Sequence, residues 1–225
     1  KMKKLLLAVF ATMFATATFA QTVNMGVSGT ALYYDASGTE TVKSSGTTND
    51  KDDSGVAPVG SIFIETELDT GAVVGIDFVP YSAEVGSASN ARTDTDTDDS
   101  SDTAGTNTVD VNFKNHVTLY IEAPIPNAFE GAFLKLGVSN VTLETDESMA
   151  TGSTYGDADI MGVTLGLGKK GDLQNGQGFY KVEGFYTAYE GHEFESTADA
   201  DSVKNKVKLD DWNAAGIKFS VGKSF

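Results

Sequence analysis

The stretch NARTDTDTDDSSDT, residues 90–103, sets Asp94, Asp96, Asp98, Asp99 and Asp102 close together. Alternate aspartates in a loop supply the oxygen ligands that calcium favours, so Asp94, Asp96 and Asp98 are the metal candidates this chain offers. A helix–loop–helix calcium site counted from Asp94 needs Gly at its sixth position and Glu at its twelfth. Those places hold Asp99 and Gly105, and the pattern fails. A solvated acidic loop, loosely attracting divalent cations, is the plainer reading. The run GLGKKG, with Gly166, Gly168 and Gly171, matches a dinucleotide fingerprint literally, but the turn-like DLQNGQG follows where a helix must open. Two histidines stand as potential bases. His116 lies several residues into its strand beside Lys114 and Thr118, and His192 sits in YEGHEFE among acids with no evident nucleophile. No cofactor is expected.

A larger titratable set recurs at period two. It comprises Glu65, Glu67, Asp77, Lys114, His116, Lys135, Lys181, Glu183 and Lys218, joined by Asp110 and Glu122. Small residues separate them, among them Gly26, Ser28, Gly75, Gly137, Ser139, Gly166, Gly216 and Ser220. Charges of both signs interleaved with glycine suit a narrow interior, where each buried charge needs a partner. Glu65, Glu67 and Glu183 against Lys135, Lys181 and Lys218 read as a salt-bridged plug.

These residues must be positioned by strands. After residue 21, period-two runs cover 22–34, 60–68, 72–82, 109–123, 132–143, 158–168, 179–190 and 212–225, with no sustained helical period. The alternate face of each run is apolar: Val23, Met25, Val27, Ala31 and Tyr33 in the first, Val109, Val111, Phe113 and Val117 in the fourth. Lys223 is the one charge on that face, near a strand end where a long side chain can snorkel. The connections alternate strictly between long (35–59, 83–108, 144–157, 191–211) and short. A soluble sandwich has no reason for that rhythm, whereas a membrane barrel with long outer loops and short inner turns does. An interior of eight strands is about wide enough for side chains to fill. Part of a long loop could also order as an extra hairpin, giving ten strands. Tyr33, Phe78 and Tyr186 fit an outer aromatic girdle, Tyr180 and Phe225 an inner one.

The chain has 225 residues, 16 Lys+Arg against 32 Asp+Glu, and no Cys. Residues 1–20, KMKKLLLAVFATMFATATFA, have the basic start, apolar middle and small-residue end of a signal peptide. Its removal takes three Lys and no acid, carrying the formal charge from −16 to −19 and leaving 21–225 as one barrel domain. No basic stripe exists to neutralise phosphates, so nucleic acid is not a partner. A disulfide scaffold is excluded as well.

With these features the sequence resembles the small bacterial outer-membrane β-barrels of the OmpA, OmpX and opacity-protein kind. The most specific element is the last strand, where Ile217, Phe219, Val221 and Phe225 match the assembly signal of those families. Lys223 departs from it. The resemblance implies an eight-stranded antiparallel transmembrane β-barrel in the cell outer membrane. Its partners would be outer-membrane lipid, lipopolysaccharide and the barrel-assembly machinery. It implies no site. The expected function is a non-enzymatic surface, structural or interaction role carried by hydrated acidic loops. The alternatives are a narrow porin-like channel and, third, a lipid-modifying enzyme using His116 or His192.

Overall fold

The computed structural model describes residues 22–42, 46–95, 101–173, 178–197 and 204–225. The segment read as a signal peptide lies outside the described residues, as do Asp96 and Asp98; of Asp94 only the backbone is described. The strands are β1 (Thr22–Val42), β2 (Thr47–Glu67), β3 (Val73–Phe78), β4 (Ala83–Thr95) and β5 (Asp102–Pro124). They continue with β6 (Ala132–Ser148), β7 (Ala158–Asp172), β8 (Gly178–Tyr189), β9 (His192–Glu195) and β10 (Lys206–Ser224).

Eight of these form a closed antiparallel ring, β1-β2-β3-β5-β6-β7-β8-β10, with β10 returning to β1. The extra two strands stay off the ring: β4 pairs with β5, and β9 with β10. Crossing the ladders from Asn24 leads through Glu65, Gly75, Tyr120, Gly137, Thr164, Thr187 and Ala214. The path rejoins β1 at Tyr34, ten residues beyond its start. That stagger tilts the strands by about 40° in a barrel of this size. The closing ladder runs to the chain end, with Phe225 and Val23 exchanging backbone hydrogen bonds of 2.9 and 3.3 Å.

Period two then decides what faces outward. Val27, Val163 and Ile217 are 60%, 62% and 65% exposed, and Met25, Ile62, Ile121, Leu136, Leu165, Leu167, Phe219 and Val221 share that face. Leaving a large apolar side chain in water forgoes about 1.5–3 kcal/mol, so such side chains on seven of the ring's eight strands call for lipid. The belt is the outer surface of a membrane-spanning barrel.

Two expectations are corrected. Residues 35–59 and 83–108 are largely strand where loops were expected. β1 and β2 stay paired from Asp35↔Ser54 to Val42↔Thr47, and β4 and β5 from Ala83↔Phe113 to Thr95↔Asp102. Outside the membrane neither face needs to be apolar, and backbone ladders form without the hydrophobic alternation that marks a strand in sequence. The run 72–82 breaks accordingly, with β3 ending at Phe78.

The second correction concerns β5. Lys114 pairs with Thr142 but Val117 with Asn140, so β5 holds one extra residue there. Asn115 absorbs it at φ 53, a conformation that Asn tolerates better than most residues. One extra residue inverts the side-chain alternation above it. Lys114, expected in the lumen, therefore lies on the outside and pairs with Glu144. Val111 and Phe113, expected toward lipid, turn inward. They pack on the buried cluster of Val141, Leu143, Ala158, Ile160 and Trp212, which caps the barrel interior at its outer end. Phe113 and Tyr189 lie 4.6 and 3.8 Å from the Trp212 ring.

Candidate functional site in the barrel lumen

Below that cap the lumen is built from cross-strand pairs of one aromatic residue with one glycine. Phe63 faces Gly26, Tyr120 faces Gly75, Phe133 faces Gly168 and Phe179 faces Gly222. A Cβ on any of these glycines would come within 2.4–2.5 Å of the facing ring. The glycines are thus the floor on which lumen aromatics lie flat along the wall, leaving the centre for longer side chains.

That centre holds a compact ion network. Lys181 Nζ lies 2.5 Å from Glu65 Oε2 and 2.6 Å from Glu122 Oε2. Lys135 Nζ lies 2.7 Å from Glu183 Oε2 and 3.5 Å from Glu122 Oε1. The Tyr120 hydroxyl donates to Glu65 Oε2 at 2.7 Å, and Asn24 Nδ2 to Glu65 Oε1 at 3.3 Å. None of the five charged residues is more than 5% exposed. Aromatic faces complete the surroundings, with Lys135 Nζ 4.0 Å above Tyr120 and Lys181 Nζ 5.7 Å from Phe63 and Phe133. Charges buried this deeply cost several kcal/mol each unless paired, and here each ammonium touches two carboxylates.

Toward the outer side the polarity softens. Lys218 donates to Asp77 at 3.1 Å, and Ser61 to the same carboxylate at 3.0 Å. Ser28 and Ser220, Thr118 and Ser139, and Thr164 and Thr187 each form a 2.8 Å hydroxyl pair. His116, on the bulge, is 3.3 Å from the Tyr189 hydroxyl and belongs to the base of the apolar cap. Glu67 is not part of the central network; it meets Lys170 at 2.8 Å at the inner mouth. His192 is exposed on β9, beside Phe194. On that outer hairpin, Lys206 bonds Glu193 and lies 3.0 Å from Glu195, and these hydrogen bonds hold its ammonium above the ordinary lysine value.

The lumen charges thus fall into three groups: the five-residue centre, the Asp77–Lys218 pair and the Glu67–Lys170 mouth. Sequence parity alone did not single out Lys170, Asn24 or Tyr120. Lys170 follows the glycine run directly, and a pairing of Tyr120 with Gly75 becomes visible only once the register is known. The remaining space is small. A cavity of about 10 Å³, room for roughly one water centre, lies among Glu122, Lys135, Lys181, Glu183, Asp77 and Lys218. Such an arrangement holds opposite walls together.

No protein-family model matches the chain, and no curated protein matches it in sequence. Solved structures similar in backbone include the outer membrane protein OprG from Pseudomonas aeruginosa, at 11% identity, covering 92% of this chain and 96% of that one with a TM-score of 0.46. The outer membrane protease OmpT from Escherichia coli is similar at 10% identity, covering 93% and 100% with a TM-score of 0.46. Likenesses this distant say nothing of activity; the class rests on the closed ring and its apolar belt. The protein is a small transmembrane β-barrel with an eight-stranded ring.

Proposed function

We propose that the protein is a non-conducting, non-enzymatic outer-membrane barrel whose work is done by its acidic outer extension, in surface contact or envelope support. The observation that carries this reading is the filled lumen: a buried ion network below and a Trp212-centred apolar cap above. A barrel closed this way is a rigid mount, and β1, β2, β4 and β5 project from it well beyond the lipid belt. Lipopolysaccharide, bridged by divalent cations at the acidic outer rim, is the surrounding this reading assigns. The strand ending in Ile217, Phe219, Val221 and Phe225 is the signal for the assembly machinery. The test is conductance of the purified protein in planar bilayers. A silent barrel is expected. Stable unitary steps whose size changes on Lys218→Glu would replace this reading with a narrow channel.

A further inference from the structure

The ring is closed at membrane height but parts above it. β2 pairs with β3 only from Ile62↔Phe78 to Glu67↔Val73, while β4 pairs with β5. The upper half of β2, residues 47–59, and β4 therefore border a notch, with no ladder between them among the described residues. Because β2 runs inward and β4 outward, the two edges are antiparallel.

The base of the notch is sealed. The Gly60 N–H donates to the Tyr81 hydroxyl across it. Backbone groups of a strand alternate sides, so positions 58, 56 and 54 present theirs to the notch as Gly60 does. Pro58 brings no N–H there, and the next position up, Val56, is 74% exposed. Proteins normally blunt such an edge with Lys, Pro or a bulge. Here Pro58 and the Glu84/Gly86 bulge of β4 blunt only the base.

Higher up, the notch is acidic. Asp53 Oδ2 reaches to 3.3 Å from a Cβ placed on Gly86, so its carboxylate spans from one edge toward the other. Asp53 and Glu84 both act on the phenol of Tyr34, which is packed against Gly55. Neither carboxylate forms an ion pair among the described residues, and further up β2 lie Asp52 and Asp50 with Lys51 between them.

We propose that this notch binds an extended cationic polypeptide segment by strand addition. The segment's backbone pairs with the free β2 edge, and its Lys or Arg side chains meet Asp53 and Glu84. The occupant is fixed by two features together: an open ladder edge selects an extended backbone, and unpaired carboxylates select positive charge. This deepens the outward-facing role proposed above and rests on it, but its test is binding, whereas that reading stands or falls on conductance.

The experiment uses the full chain folded in detergent micelles and a fluorescein-labelled peptide of about ten residues alternating Lys and Thr, followed by anisotropy. Saturable binding is expected. The pair Asp53→Asn with Glu84→Gln should weaken it about tenfold. The pair Asp53→Cys with Gly86→Cys should still bind when open and lose binding when bridged by a short bismaleimide. A peptide of the same sequence, N-methylated at alternate backbone nitrogens with all its charge intact, should not bind. Equal binding of the methylated peptide, binding unchanged by the bridge, or self-association of the protein as the only event would each overturn the proposal.

Discussion

Lys181 holds two carboxylates that would otherwise repel each other across the lumen, and its loss strands both. Lys181→Met should destabilise the barrel by about 3–5 kcal/mol, read as a lowered urea midpoint in lipid vesicles. Adding Glu65→Gln and Glu122→Gln should recover most of that loss, because the penalty comes from the orphaned charges more than from the missing attraction. No recovery would mean that Lys181 acts through packing. A neutral residue offers a second test at this scale. Gly75→Ala sets a Cβ 2.5 Å from Tyr120 and should cost about 1–3 kcal/mol, whereas Gly29→Ala, with nothing within 4 Å, should be nearly neutral in the same assay. Parity made the inward direction of Glu65, Lys135 and Glu183 legible in the sequence. Their partners were not, because contacts across a barrel depend on its stagger, which no local pattern encodes.

At the scale of elements, the bulge in β5 decides which half of that strand faces which way. Asn115→Gly should be tolerated, while Asn115→Ala should cost about 1–2 kcal/mol through its left-handed conformation. Deleting Asn115 takes out the one extra residue of β5 and leaves Phe113 inward and Lys114 outward on a regular strand, so the deletion variant should still refold. A deletion variant that cannot refold while Asn115→Gly folds normally would contradict the bulge. The sequence hid this feature because Val109, Val111 and Phe113 look the same whether they meet lipid or an internal cap; the alternation continues visibly while the residue that breaks it is polar. The strands above the membrane were hidden for a different reason. Between Asp35 and Val59 both faces of the ladder meet water for most of its length, and the backbone pairs without leaving an apolar signature.

The whole molecule is a barrel whose two fillings work at different depths. The ion network needs exact partners, while the cap needs volume. Trp212→Ala should cost about 3–5 kcal/mol in urea unfolding, without changing the signature of the ion network. The belt that surrounds both was the most legible feature of all, since lipid imposes one chemistry on every alternate residue of eight strands. The central claim is that this belt meets lipid while the other face is packed and dry. The most direct measurement places spin labels singly at positions 216 to 221 of β10 in lipid vesicles and reads their accessibility to oxygen and to a water-soluble nickel chelate. The account expects oxygen access at 217, 219 and 221, with 216, 218 and 220 shielded from both reagents. Nickel access at the even positions would reveal an open lumen, and loss of the two-residue rhythm would contradict the membrane barrel itself.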